Sequence, residues 1–489
     1  MMGIIELLPL LMFVALAFLL FSGFPVAWVL GGVGLGFGLI GIVADELNFI
    51  QFSTLPSRIF GGVMENLILT AIPMFVFMGT MLEKSGVARD LLNCLQILMR
   101  RVPGGLALSV TIMGTILAAT TGIIGASVIM MSLLALPIMV ERKYDHALAT
   151  GTIAASGTLG ILIPPSIMLV IMADLLSRSV GNLFVAAVFP GLILATLYMG
   201  YIVIRCWINP SLAPPISEAL GPQTRGGIAV MILRSFVPPV ILIGMVLGSI
   251  LGGVATPTEA AGVGALGAIL LGFFNLVILP SMGVKDFTLK GPDASTQSAT
   301  VIATSLWRKL VQFERTVSGV VDSTAQTNAM IFGLFVGATF FSYIFRALGG
   351  DDLVISTVEA MGLGPWGLLF LLLGLVFVLG FFFDWIEITL IVLPVFAPII
   401  AQLDFGDHVS RFDAVYWFAI LIAINLQTSF LTPPFGFALF YLKAVAPPEV
   451  KIQQIYRGII PFVILQLFGL TLVILFPEIA LWLPRVLLK

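Results

Sequence analysis

Two clusters of small and hydroxyl-bearing residues stand just ahead of paired prolines in this chain. Ser156, Gly157, Thr158 and Gly160 precede Pro164 and Pro165, in GTLGILIPPSIMLV. Gln427, Thr428, Ser429 and Thr432 precede Pro433 and Pro434, in LQTSFLTPPFGFAL. Two carboxylates, Asp384 and Glu387, lie three residues apart inside an otherwise apolar stretch. Hydroxyls, carbonyls and carboxylates are hard oxygen donors, and the ion they suit is a hard cation. Other chemistries lack their residues. The two cysteines, Cys94 and Cys206, form no CxxC or zinc spacing, and the two histidines, His146 and His408, are too far apart in sequence to suggest haem ligation. No GxxxxGK[ST] loop is present, so nucleotide hydrolysis by that route is excluded. The reading is of a chain that is not an enzyme and carries no organic cofactor.

The elements that position these groups are membrane helices. The 489 residues are 59% hydrophobic and only 10% charged, whereas soluble proteins carry about a quarter charged residues. The net charge of -2 gives no sign of nucleic acid. No Lys or Arg precedes the first apolar run, 7–21, and no small-residue cleavage site follows it, so it reads as a transmembrane helix rather than a signal peptide. A span needs about 20 apolar residues. Helices are expected near 4–22, 25–43, 62–82, 146–177, 180–206, 228–248, 256–279, 317–345, 413–446 and 457–476. Two further apolar regions, 105–140 and 366–403, are too long for one span. The first is interrupted at Thr120, Thr121, Gly122, Gly125 and Ser127, the second at Asp384 and Glu387. Each is either two spans or one re-entrant hairpin, and about 18 residues per arm is short for two spans.

Positive charge orients the chain. Lys84, Arg89, Arg100 and Arg101 flank one end of 105–140, and Arg142 and Lys143 the other, so both ends are expected in the cytoplasm. The connector 280–316, with Lys285, Lys290, Arg308, Lys309 and Arg315, is expected there too. The loop 404–413 holds Asp404, Asp407 and Asp413 against Arg411 and suits the outside. This layout puts 17 of the 23 Lys and Arg in the cytoplasm and both termini outside.

The unusual features come in pairs. Asp145 precedes Pro164 by 19 residues, and Asp413 precedes Pro433 by 20. The segment KSGVARD at 84–90 aligns with RALGGDD at 346–352, and Pro25, Gly31 and Gly34 align more weakly with Pro257, Gly262 and Gly264. Matching elements face opposite ways, which makes an inverted repeat, a frequent device of secondary transporters. The bland alternatives are a plain proline kink patched by hydroxyls and a tip shallow enough for its acids to meet water. A kink would explain one proline pair alone; two in register across a repeat favour a binding function. Irregular backbone survives at membrane depth only inside protein or along a cavity. Glu259, in TPTEAAG, reads as a helix-start acid, and GGVGLGFG at 31–38 as close helix packing rather than a phosphate loop. The fold class is an all-α membrane protein of about ten transmembrane helices plus two re-entrant helical hairpins. Its expected divisions are scaffold helices 1–60, a first repeat 61–208, scaffold helices 209–280, a connector 281–316 and a second repeat 317–489.

GTLGILIPPS, a later SFLTPPFGF and a first tip containing GAS resemble the large membrane subunit of tripartite ATP-independent periplasmic (TRAP) transporters, over nearly the whole chain. The resemblance implies sodium-coupled uptake of a small organic anion of the carboxylate type across the bacterial inner membrane. It implies an elevator mechanism, a small four-helix membrane partner and a soluble periplasmic binding protein that delivers the substrate. By position, Ser127 with Ser156, Gly157 and Thr158 would form a first sodium site, and Asp384 with Thr428, Ser429 and Thr432 a second. The substrate would lie near Thr121, Gly125, Thr158 and Thr428. The connector is longer and the acidic tip FDWIEITLIVLP richer than the family pattern. Two other classes remain: an ion-coupled carrier with no binding protein, and a membrane subunit of an ion-pumping redox complex. The latter usually needs haem-ligating His or a chain of buried Lys and Glu, which this sequence lacks.

Overall fold

A computed structural model describes residues 7–121, 124–215, 221–222, 224–281, 306–433 and 436–487. Among these the regular structure is helical throughout, and eight helices are long and apolar enough to cross a membrane. One of the eight, Ile124–Glu141, is a hairpin arm; the other seven, with the shorter Leu8–Leu20 and Ala71–Lys84 and the interrupted 146–175, make ten crossings among the described residues.

The two long apolar regions are helical hairpins. The first has arms Gly105–Thr121 and Ile124–Glu141, the second Pro365–Leu379 and Trp385–Ile400. At about 1.5 Å per residue, arms of 15 and 16 residues reach about 22–24 Å, short of a hydrocarbon core about 30 Å thick. Each base is stitched shut. The Leu106 N–H donates to the Tyr144 hydroxyl at 3.3 Å, and Trp366 packs edge-on against Phe405 and His408, at 5.4 and 5.0 Å between ring centres.

Each hairpin leads into a broken helix. His146–Thr158 tightens into the 3₁₀ turn Leu159–Ile161, passes Pro164 and Pro165, and restarts at Ile167–Leu175. Prolines leave upstream carbonyls without donors; here the Ser166 hydroxyl supplies one, to Ile161 O at 2.6 Å. Arg411–Leu431 ends at Thr432, whose hydroxyl donates to Thr428 O at 2.8 Å, and Phe437–Val445 restarts the chain. Gly436 enters that restart at φ +43°, where a side chain would be strained. Pro434 lies outside the described residues.

Packing follows the repeat by exchange. The second arm of the first hairpin lies against Phe437–Val445, and the second arm of the second hairpin against Ile167–Leu175. His146–Thr158 packs on Ile452–Leu475, and Arg411–Leu431 on Val180–Ile208. The framework repeats the pattern: Val26–Val43 packs on Leu306–Ala347, and Pro257–Phe273 on Ala71–Lys84. A Cβ on Gly34 would sit 2.9 Å from the Phe340 backbone, and one on Gly264 would sit 2.6 Å from Met78 Sδ. Within the run at 31–38, Gly34 and Gly38 are thus packing residues, a Cβ on Gly38 sitting 2.7 Å from the Phe52 ring. Glu259 is the helix-start acid expected: its carboxylate accepts from the Thr256 N–H at 2.8 Å.

Several elements differ from the expectation. The helix expected at 317–345 is Leu306–Ala347, so 306–316 of the connector is helical; residues 282–305 lie outside the described set. Hydropathy falls at Arg308, Lys309, Glu314 and Arg315, but those residues are good helix formers. The span expected from 62 begins as a π turn, Phe60–Met64, and becomes α-helix only at Ala71. Val87–Leu98, Gly350–Ala360 and Glu478–Leu487 are additional helices, each mixing charged with apolar residues.

Candidate functional site at the helix breaks

The two breaks meet each other. Gln427 Nε2 donates to Thr158 Oγ1 at 3.3 Å, and both side chains are buried. The two residues are 269 apart, the offset that relates Pro164 to Pro433. A residue that touches its own repeat mate lies on the pseudo-two-fold axis, so this contact marks the axis.

Around the first break, the Ser156 hydroxyl donates to Thr111 Oγ1 of the first hairpin at 3.2 Å. Thr158 also donates, to Ala155 O at 2.9 Å. Gly157 lets the hairpin approach: a Cβ there would sit 2.5 Å from Val128 Cγ2, one residue after Ser127. Gly114 performs the same service opposite Ser156. Gly125, at the tip, lies against the Tyr441 ring of the other repeat. Ser127, Ser156, Gly157 and Thr158 are therefore brought to one hairpin–helix junction, all buried. The side chain of Thr121 lies outside the described residues.

Around the second break, Thr428, Ser429 and Thr432 donate to Ile424 O, Leu426 O and Thr428 O, each at 2.8 Å. Their oxygens keep lone pairs for a cation. Gly380 is the tip residue that meets Ser429; a Cβ there would collide with its hydroxyl. Asn425 Nδ2 holds the first arm through Leu373 O at 2.7 Å. Asp384 instead caps the second arm, its N–H donating to Glu387 Oε2 at 3.1 Å. Asp384 and Glu387 border a cavity of about 1140 Å³, walled on the far side by residues of Val26–Val43, Ala71–Lys84 and Leu306–Ala347. The tip acids thus look toward the framework helices, while Gly380 faces the break.

Helix ends of both polarities meet at each break. His146–Thr158, Arg411–Leu431 and each first hairpin arm end there with carbonyl-rich C-termini, while Ile167–Leu175, Phe437–Val445 and each second hairpin arm begin there with N–H-rich N-termini. The C-terminal ends carry roughly half a negative charge each and the N-terminal ends roughly half a positive one. Such a place can hold a cation at the C-terminal ends and an anionic group at the N-terminal ends.

Sequence reasoning gave no role to Thr111 or Asn425, and it noted Gln427 only as a polar neighbour. For Gln427 the signal was present, since adding the repeat offset to Thr158 lands on it. The Thr389 hydroxyl and Gln427 Oε1 are buried without a hydrogen-bond partner in the same region.

Paired hairpins, paired helix breaks and inverted packing define a secondary-transporter type of membrane protein. A family model described as "Tripartite ATP-independent periplasmic transporter, DctM component" matches residues 13–479, and the chain belongs to that family. The C4-dicarboxylate TRAP transporter large permease protein DctM of Pseudomonas aeruginosa is 28% identical, over 86% of this chain and 87% of that protein. The ectoine TRAP transporter large permease protein TeaC of Halomonas elongata is 27% identical, over 95% and 96%. Among solved structures, the YdaH transporter of Alcanivorax borkumensis superposes with a TM-score of 0.56 at 16% identity, covering 89% of this chain and 88% of that one, a likeness of fold alone.

Proposed function

We propose that this chain is the permease of an ion-coupled uptake system for a small organic anion, taking its substrate from a binding protein on the outer face of the bacterial inner membrane. The observation that carries the reading is the meeting of two helix breaks on the repeat axis, each facing a hairpin tip. The relatives' names mention C4-dicarboxylates and ectoine, molecules that share a carboxylate. A carboxylate of the cargo completes the coordination of cations held by the hydroxyls and helix ends, so anion and cation bind together.

Sodium is the coupling ion of choice, because hydroxyl and carbonyl oxygens coordinate it without a proton acceptor. Ser127, Ser156, Gly157 and Thr158 supply the first ion site. Thr428, Ser429 and Thr432 supply the second, and Asp384, which faces the framework cavity, adds negative charge to its field from the other side of the tip. The hairpins and broken helices move as one body against the framework, an elevator motion, with a small membrane subunit bracing the framework.

Reconstitution with the binding protein and small subunit from neighbouring genes tests this. Uptake is expected to need both the binding protein and an inward sodium gradient. Uptake that persists with choline in place of sodium and collapses with a protonophore overturns the sodium assignment and makes Asp384 and Glu387 proton carriers.

A further inference from the structure

A second cleft, of about 490 Å³, lies between the framework and the hairpin core, on the face that the charge bias puts outside. Its walls include Ser57, Arg58, Ser342 and Arg346 from the framework and Asp174 and Pro394 from the core. Gly61 and Gly62 also border it; a Cβ on either would meet nothing within 4 Å, so the space beside them is open.

The two guanidinium groups are held differently. Arg58 lies over the Tyr343 ring, with Cζ 4.3 Å from its centre, and the Tyr343 hydroxyl donates to Gln51 O at 2.9 Å. Stacking occupies the flat face of a guanidinium and leaves its edge N–H groups in the plane, where acceptors bind. Arg346, three residues along the helix from Tyr343, spends one donor on Pro394 O at 2.5 Å and lies 3.8 Å from Asp351. Both arginines are exposed. The one acid of the opposing wall, Asp174, is already taken by Asn66 Nδ2 at 2.6 Å. Five N–H donors per guanidinium in a planar fork match a carboxylate with two bonds at once.

We infer that Arg58 and Arg346 form an entry site for a carboxylate of the transported anion, occupied between delivery and arrival at the hairpin tips. This rests on the uptake reading above. A carboxylate here competes with Pro394 O for Arg346, so its arrival removes one polar tie between the second hairpin and the framework.

The test uses the full chain in liposomes with its small subunit, carrying Ser57→Cys as reporter; Cys94 and Cys206 are both buried. An anionic and a cationic methanethiosulfonate reagent are compared at the introduced thiol, with and without millimolar succinate. The anionic reagent is expected to lose its advantage by about tenfold in Arg58→Gln/Arg346→Gln. Succinate is expected to slow the anionic reagent in the parent and not in that variant. Arg58→Lys/Arg346→Lys keeps the charge preference and loses most succinate protection, because an ammonium cannot bind bidentately. An unchanged reagent ratio in the Gln variant, or no succinate protection in the parent, overturns the inference. Intact protection in a chain that takes up no organic anion in the sodium-gradient assay would leave this site standing and remove the uptake reading instead.

Discussion

The side chains at the breaks act in pairs, and the sharpest test falls on Gln427. Gln427→Leu removes the donor to Thr158 and introduces apolar bulk on the repeat axis. Losing a buried hydrogen bond of this kind costs about 1–3 kcal/mol. The expected result is a modest fall in unfolding temperature of the purified protein and a much larger fall in uptake rate. Uptake at the parental rate would show that the contact on the axis is only packing. Asp384→Asn is a different experiment. Asn caps a helix as well as Asp, so expression should hold, and the sodium concentration for half-maximal uptake should rise. Glu387→Gln should add to it, because Glu387 reaches the Asp384 N–H and shares the same cavity. Unchanged sodium dependence in Asp384→Asn would mean that hydroxyls and helix ends hold the ion alone. The polar crowding at Ser156, Thr158, Thr428 and Ser429 was legible because such residues are rare in apolar runs. The direction of Asp384 was not, because the turn that aims it toward the framework depends on where Gly380 meets Ser429.

At the level of elements, closeness of approach is set by glycine. A Cβ on Gly458 would collide with Ala147 O, and one on Gly151 with Gly458 O, so Ile452–Leu475 and His146–Thr158 touch backbone to backbone. Gly458→Val is expected to cost more than the about 1–3 kcal/mol typical of overpacking, since the obstacle is main chain and cannot rotate away. Fluorescence-detected size exclusion should show little folded protein. Gly32→Ala, where a Cβ meets nothing within 4 Å, should elute like the parent. A normal Gly458→Val profile would show that the two helices slide apart cheaply. Elements with lipid-facing surfaces were readable from hydropathy, as were the breaks, because proline disrupts a helix in any context. Residues 306–316 and Val87–Leu98 were not read as helix. Hydropathy reports contact with lipid, and these segments mix polar with apolar faces whose partners are other helices.

The whole molecule is ordered by exchange: its most extensive helix pairings include Val26–Val43 on Leu306–Ala347 and His146–Thr158 on Ile452–Leu475, each joining one half to the other. Neither half can bury its apolar surface alone, so the repeats fold as one unit. The orientation follows from the arginine and lysine distribution, and labelling checks it. In single-cysteine variants, Ser410→Cys is expected to react with an impermeant maleimide from outside and Ser281→Cys only after the membrane is opened. Reaction of both from one side would sink the inverted layout. The repeat itself was legible from charge and proline spacing, because those features tolerate no substitute. The exchange of partners was not, since sequence spacing carries order along the chain and not adjacency across it.

The contact between Thr158 and Gln427 has a consequence for ancestry. Suppose the two halves descend from one gene whose product assembled as an antiparallel pair. The ancestral residue on the axis then faced its own copy. Only a side chain able both to donate and to accept a hydrogen bond could satisfy itself there: a hydroxyl or an amide, never a lone carboxylate or ammonium. Threonine and glutamine both meet that condition. After duplication and fusion the two positions were free to differ, but each substitution had to suit the partner already in place. Related permeases should therefore vary at 158 and 427 together, drawing from Ser, Thr, Asn and Gln, and a collection of their sequences in which the two positions change independently would contradict that history.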